Sequence, residues 1–220
     1  MTDALTRAGE LAVIEAERLW SLDVYDPPRA DKSARANSCR AVIEGIIRGA
    51  GWGFTCPYLG NGPPQWCGMF AAACWRAGGI DPSWFATYWA STYRLRCWAR
   101  YERFDQRHPN PMPATSTDLR MFGELHPGKP LPFDPRPGDV VIVGDGEPDA
   151  GDHVTVCVRY DAARRVFETI SGNGGGAGPR GDRREGISRR EYAIDTGGYR
   201  AMFVVRPAFG DLLAERPIAG

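Results

Sequence analysis

Hydrophobic residues recur with a helical period in the first half of the chain. In residues 4–22 small and apolar side chains form a single stripe, which predicts an amphipathic helix packed on a core. The stripe comprises Ala4, Leu5, Ala8, Leu11, Ala12, Ala16, Leu19 and Leu22. A second helix is predicted over residues 38–48, with Gly49 and Gly51 as its end. Its expected buried residues are Val42, Ile43, Ile46 and Ile47.

A third helical pattern covers residues 67–77 and follows a loop rich in glycine and proline. Gly78 and Gly79 are expected to end this helix. The residues expected to point inward are Phe70, Ala71, Cys74 and Ala77. The aromatic-rich residues 83–101 predict one or two further helices.

The pattern changes from helical to alternating in the second half. Residues 153–160 alternate strictly, with the valines on one face and His153, Thr155 and Cys157 on the other. Further strands are predicted at 140–143, 166–170 and 201–206, after an irregular connection over 105–138. Helices followed by strands predict an α+β protein in which N-terminal helices pack on an antiparallel sheet.

Composition favours an ordinary globular protein. The chain has 220 residues, 43% of them hydrophobic and 25% charged, which suits one domain with a substantial core. Its 27 basic and 27 acidic residues balance, so bulk charge predicts neither a nucleic-acid nor a membrane partner. The basic-rich residues 180–190 are interpreted as a solvated loop.

Metal and phosphate sites have weak support in the sequence. Six cysteines lie far apart without a C-x-x-C pair, and there are three histidines, so neither zinc nor another cofactor is expected. The glycines of residues 172–177 are interpreted as a turn, because no helix pattern follows them as a dinucleotide site requires. The acids at Asp139, Asp145, Asp149 and Asp152 lack calcium-loop spacing and are interpreted as a solvated turn.

Three residues form a candidate catalytic group. Cys67 lies at the predicted start of a helix, where free backbone N–H groups and the helix dipole lower the pKa of a thiol. His153 opens a strand and is a candidate general base and acid. Asn173 ends the next strand, where its amide oxygen can accept the far ring N–H of the histidine. Individually each residue also fits a structural role: a packed thiol, a surface histidine and a turn asparagine.

Five ordered motifs resemble the CHAP and NlpC-like papain-fold peptidoglycan hydrolases. QWCGMFAAACWRAGGI is similar to the nucleophile helix of that group, and PRPGDVVIVGDG to the strand before its histidine. GDHVTVCV looks like the histidine strand, ISGN like the turn with the asparagine, and GYRAMFVVRP like the closing strand. The resemblance implies a single papain-like catalytic domain over residues 1–220. Its parts would be a helical portion (1–62), a nucleophile-helix region (63–104) and a sheet with the histidine strand (136–207).

The resemblance also implies residue roles. Cys67 becomes the nucleophile, His153 the general base and acid, and Asn173 the third member. Many CHAP proteins have a glutamate two residues before this asparagine; Ser171 stands there and is the alternative third member. The oxyanion hole would combine the backbone N–H of Cys67 with a second donor. The candidate for that donor is Gln65, while Trp66 either lines the groove or packs the helix start.

The implied activity is cleavage of an amide bond in peptidoglycan through a thioester. The bond would belong to an N-acetylmuramoyl-L-alanine linkage or to a stem or cross-bridge peptide. The N-terminal residues have no signal-peptide core, so we expect cytoplasmic synthesis and action at the cell wall after delivery by a phage or secretion apparatus. A phage lysin or an antibacterial toxin, the latter with an immunity protein as partner, fits this expectation. The alternatives are a papain-fold deamidase or acyltransferase acting on a protein, and a non-catalytic binding module.

Overall fold

The described part of the chain is a mixed α+β structure. A computed structural model describes residues 2–28, 30–50, 66–80, 121–145 and 153–207. Three helices precede six strands, which confirms the predicted order of helices first and strands after. The helices are α1 (Thr2–Ser21), α2 (Ala34–Gly49) and α3 (Cys67–Ala77). The strands are β1 (Met121–Glu124), β2 (Val140–Gly144), β3 (His153–Asp161), β4 (Val166–Ala177), β5 (Arg183–Ala193) and β6 (Arg200–Arg206).

The six strands form one antiparallel sheet in the order β1-β6-β2-β3-β4-β5. Alternating residues of β3 face two different hydrophobic clusters. Val154 and Val156 belong to the cluster shared with the three helices, whereas Cys157 belongs to a cluster on the other face of the sheet. The predicted alternation of β3 is therefore confirmed up to Cys157, and it assigns His153 to the face that Cys157 occupies. A register shift between Cys157 and Arg159 interrupts it, and Tyr160 packs on the Cys157 face, which corrects the strict alternation expected to residue 160.

Helix α1 packs through a narrower stripe than its sequence predicts. The small residues Ala8, Ala12 and Ala16 are buried with Leu19. Leu11 is 39% exposed and Leu22 is 47% exposed, and Ala4 is also exposed, so their predicted burial is wrong. The small side chains allow close approach: a Cβ on Gly9 would lie 2.4 Å from the carbonyl oxygen of Pro137, just before β2.

Helix α2 begins four residues earlier than predicted because Ser33 caps it. The Ser33 hydroxyl accepts a hydrogen bond from the backbone N–H of Ala36 at 3.1 Å, which satisfies one of the free donors of the first turn. The predicted end at Gly49 is confirmed. Of the four residues expected inside, Ile43, Ile46 and Ile47 are buried and Val42 is partly buried.

Helix α3 has the bounds that the sequence predicts, but it is buried on nearly all sides. Phe70 and Cys74 are fully buried as expected, together with Met69 and Trp75. Ala77 is exposed, which corrects its expected inward position. A helix surrounded in this way is held by packing rather than by a single apolar stripe. Its first residue is consequently fixed with respect to the sheet.

Two strands were not predicted. Residues 183–193, mostly within the segment interpreted as a solvated basic loop, form β5 and pair with β4 along its length. The glycine-rich residues 172–177, interpreted as a turn, continue β4. Residues 121–124, inside the expected irregular connection, form β1. The expected helices of residues 83–101 lie outside the described residues.

Asp139 is a structural residue, not part of a solvated acidic turn. Its carboxylate accepts two hydrogen bonds from the Arg206 guanidinium, at 2.8 and 2.7 Å, and a third from the backbone N–H of Arg136. Burial raises the pKa of Asp139, and the Arg206 contacts oppose that increase. The pair connects the entry of β2 to the end of β6.

Within the described ranges, no helix combines the length and apolar character needed to cross a membrane.

Candidate functional site

Cys67, His153 and the β4 bulge meet at one end of the sheet. Cys67 is the first residue of α3, and His153 is the first residue of β3. Asn173 and Ser171 lie in β4 next to β3, while Gln65 lies outside the described residues. The structure therefore brings together the cysteine and histidine regions that the sequence separates by more than eighty positions.

The sulfur of Cys67 lies in a gap between β3 and β4. The backbone groups of Cys157 bond towards β2, through Asp139 and Gly138, so alternation directs the N–H of Val154 towards β4. The pairing with β4 stops at Val156 opposite Ile170. Instead of a strand carbonyl, the Val154 N–H meets the Cys67 sulfur, as do the N–H groups of Gly68 and of Cys67 itself. A thiol thus replaces a β-ladder partner at this point.

The acidity of Cys67 differs from the sequence-based expectation. Burial raises the pKa of the Cys67 thiol, and the three backbone N–H groups oppose that increase without overcoming it. The residue is 6% exposed. The helix terminus does supply the expected donors, but desolvation penalises the thiolate more strongly. The expectation of a lowered pKa is wrong for this state, in which Cys67 is a neutral thiol at neutral pH.

His153 is a neutral imidazole with an enclosed Nε2 atom. The ring as a whole is half-buried, but Nε2 is buried and has no hydrogen-bond partner. Burial, and secondarily the charge of Arg190, lowers the pKa of His153 from 6.5 to about 4. A pKa of about 4 leaves the imidazole unprotonated at neutral pH but makes it a weak base, since a general base is most effective when its pKa is near the working pH.

Two serine hydroxyls and a glycine surround the enclosed side of the ring. A Cβ placed on Gly174 would lie 3.1 Å from His153 Nε2, 2.6 Å from the Ser171 hydroxyl and 2.9 Å from the Ser188 hydroxyl. Ser171 and Ser188 are directly opposite each other on β4 and β5. A glycine at position 174 therefore leaves the space in which the imidazole and the two hydroxyls converge.

Asn173 lies at a bulge of β4 in its pairing with β5. Its φ of 55° is left-handed, a conformation that asparagine tolerates better than most residues, and the β4–β5 register shifts between Ser171 and Gly174. Nε2 of His153 has no hydrogen-bond partner, so it does not donate the expected hydrogen bond to the amide oxygen of Asn173. The structure gives Asn173 a backbone role at the bulge, and its catalytic role stays a prediction.

Trp66 packs the start of α3. It is fully buried, and its ring meets Phe70 edge-on with centroids 6.4 Å apart. A Cβ on Gly172 would lie 2.2 Å from the indole, so the strand passes directly against the ring. Its indole N–H donates to the Asp26 carboxylate at 3.4 Å. Trp66 therefore fixes the position of Cys67 and does not line an open groove.

Sequence reasoning missed the contribution of β5. Ser188, Arg190 and Tyr192 alternate along this strand, and Tyr192 belongs to the cluster on the His153 face of the sheet. The alternation is visible in ISRREYA, where Ile187 belongs to the helix-side cluster. The density of arginines concealed it, because charged runs are typical of loops.

The remaining cysteines do not extend the site. The four described cysteines, at 39, 67, 74 and 157, are free thiols, and Cys56 and Cys97 lie outside the described residues. Burial raises the pKa of Cys74 and that of Cys157. The described residues contain no cluster of histidine, cysteine and carboxylate side chains able to hold a metal ion.

The fold and the site together define an α+β protein with a cysteine at a helix start against an antiparallel sheet. Comparison of the chain with protein-family models, with curated proteins and with solved structures finds no match.

Proposed function

We propose that the protein is a papain-like cysteine amide hydrolase that acts on peptidoglycan. The observation that carries the proposal is the position of the Cys67 sulfur at the N-terminus of α3. There it receives the backbone N–H of Val154, the residue next to His153. The order of nucleophile helix, histidine strand and neighbouring bulged strand agrees with the papain-like arrangement that the five motifs imply. The cell-wall substrate rests on those motifs.

Both members of the candidate pair are neutral in the resting state, so the thiol proton has to move during the attack. Cys67 is a neutral thiol and His153 a neutral imidazole, because burial disfavours both charged forms. Because Nε2 of His153 is enclosed, we assign the transfer of the thiol proton to Nδ1. The proton would move to Nδ1 as sulfur attacks the amide carbon, so that a free thiolate is not required beforehand.

The remaining steps follow from this transfer. The carbonyl oxygen becomes an oxyanion, which the backbone N–H groups at the start of α3 can stabilise. The imidazolium gives its proton to the amine nitrogen as the C–N bond breaks, leaving a thioester on Cys67. Water then attacks the thioester and loses a proton to His153. When the carbon–sulfur bond breaks, that proton returns to sulfur and a carboxylic acid is released.

Digestion of purified peptidoglycan tests the proposal. We expect wild-type protein to release fragments whose masses show the gain of one water per cleaved amide. Cys67→Ala should lower the rate by about a thousandfold or more, because no other group replaces the nucleophile. Fragment masses also distinguish an amidase from an endopeptidase.

Cys39→Ala is the matched control, because Cys39 has the same 6% exposure as Cys67 but lies on α2. This variant should retain wild-type activity. Equal cleavage by Cys67→Ala and wild-type protein would overturn the role of Cys67. If peptidoglycan remains intact under all conditions, the wall substrate is wrong.

A further inference from the structure

Strand β5 carries two consecutive arginines with different surroundings. Arg189 is paired with carboxylates on both sides, at 2.9 Å from Glu17 and 3.1 Å from Glu168. The next acid, Glu191, is paired with Arg164 at 2.6 Å. Arg190, between them, forms no ion pair with any carboxylate of the described residues, and its side chain is exposed. Its charge is therefore available to a ligand.

Arg190 is nevertheless held in place. Its guanidinium donates a hydrogen bond to the carbonyl oxygen of Gly175 at 3.3 Å and lies 5.1 Å above the ring centroid of Tyr192. Tyr192 itself is 4% exposed and packs in the cluster on the far side of the sheet from the helices. The Gly175 bond and the contact with a buried ring fix the position of the guanidinium on the exposed surface of the sheet.

The guanidinium is on the same face of the sheet as the imidazole. Arg190 is two residues from Ser188, whose hydroxyl borders the Gly174 space together with His153 Nε2. The charge of Arg190 contributes to the lowered pKa of His153, after the larger effect of burial. Burial raises the pKa of Tyr192, Arg190 opposes the increase and Cys67 adds to it. Arg190 and Tyr192 thus lie within electrostatic range of the candidate catalytic pair.

We propose that Arg190 binds a free carboxylate of the substrate, next to the amide that Cys67 attacks. The inference rests on the proposed function and narrows its substrate class to acyl peptides with a carboxylate near the cleaved bond. Arginine matches the planar geometry of a carboxylate, and Arg190 lacks the internal acid that neutralises Arg189. Among the described residues, the guanidinium of Arg190 is therefore an unpaired cation on the same face of the sheet as His153.

Occupation of Arg190 by a carboxylate would also assist the reaction. The imidazolium that forms when His153 takes the thiol proton is disfavoured by the neighbouring cation. A bound carboxylate offsets that cation at the moment when the imidazolium must exist. A substrate with the carboxylate should consequently have a lower KM and a higher kcat than one without it.

A binding measurement separates this inference from catalysis. The probe is a disaccharide-tetrapeptide muropeptide, used with free carboxylates and after conversion of those carboxylates to amides. Binding to Cys67→Ala, which cannot turn the probe over, is measured by calorimetry at low salt. We expect the free acid to bind about tenfold more tightly than the amide, as for a charge-assisted hydrogen bond. Adding Arg190→Gln should abolish the difference.

Arg159→Gln is the matched control, because it also removes one positive charge from the sheet, but from an arginine already paired with Glu168 at 2.9 Å. The tenfold preference should survive in this control. Equal binding of acid and amide, or a preference that persists in Arg190→Gln, overturns the carboxylate site. Cleavage of peptidoglycan by the protein with Cys67 intact, measured separately, would show that the proposed function stands regardless. Loss of the preference in Arg159→Gln would also overturn the proposal, since bulk charge would then explain it.

Discussion

The two ends of the β3–β4–β5 unit differ in whether their polar side chains have partners. At the hairpin end, where β3 turns into β4, each arginine has a carboxylate: Arg159 pairs with Glu168, Arg164 with Glu191 and Arg165 with Asp195. At the other end His153 has a buried nitrogen without a partner. Arg190 lies midway along β5, and its guanidinium, which reaches the carbonyl oxygen of Gly175, has no carboxylate among the described residues. One end is internally satisfied, and the other is not.

The candidate chemistry is concentrated at the end that has the unsatisfied polar groups. An unpartnered buried nitrogen costs stability, and such groups are rare unless a ligand or a reaction uses them. The open end also gives the Val154 N–H to a sulfur instead of a strand carbonyl. The hairpin end resembles an ordinary solvent-facing sheet, in which exposed ion pairs contribute little. Variants at the two ends should therefore have different effects on activity and stability.

The largest expected effect comes from removing the base. His153→Gln keeps a polar side chain of similar size but cannot accept the thiol proton, so the cleavage rate should fall by about a hundred- to ten-thousandfold. The measurement is the rate of peptidoglycan fragment release at neutral pH. His126→Gln is the control, since this histidine is exposed just after β1 and should tolerate the change. Wild-type activity in His153→Gln would show that His153 is not the base.

The sequence predicts the helix and the strand that carry Cys67 and His153, but it does not predict the contacts that these residues make. Periodicity placed α3 and the histidine strand correctly, because packing and propensity agree in both. It could not show that β4 continues through its glycines, since only pairing with β5 stabilises them as a strand. Nor could it give the pKa of Cys67, which depends on how deeply the thiol is buried.

The third-member question shows the same limit. Asn173 is predicted at the end of a strand, but β4 continues past it to Ala177, and Asn173 has a left-handed φ inside the strand. Nε2 of His153 faces the Gly174 space. Ser171 was identified as an alternative from its spacing alone. Its convergence with Ser188 depends on the register between β4 and a strand that the sequence pattern did not reveal.

The next prediction is that the contribution of His153 to the free energy of unfolding depends on pH. The pKa of His153 is about 4 in the folded protein, against about 6.5 when unfolded, so the unfolded chain binds more protons between these values. The contribution is complete above pH 6.5 and is lost as the pH falls towards 4, by up to about 3 kcal/mol. Urea titrations of wild-type and His153→Gln protein should show this difference growing between pH 7 and 4. Parallel curves would contradict an enclosed neutral imidazole.

A smaller effect is expected from filling the space beside the imidazole. Gly174→Ala places a methyl group 3.1 Å from His153 Nε2 and closer still to the Ser171 and Ser188 hydroxyls, so the ring must shift. We expect about a tenfold loss of cleavage rate, because small displacements of a catalytic group are costly. Gly175→Ala is the matched control, since a Cβ there meets nothing within 4 Å. Equal activity of the two variants would show that the space does not position the ring.

The smallest effect should come from the hairpin end. Arg164→Gln removes the hydrogen bonds that lower the pKa of the Glu191 carboxyl, so this pKa should rise towards its usual range in an NMR titration. The cleavage rate and the preference for a free carboxylate should stay at wild-type values, because the exposed pair lies far along the strands from His153. A fall in activity as large as that of Gly174→Ala would mean that the two ends are coupled. The contrast between a satisfied end and a reactive end would then be wrong.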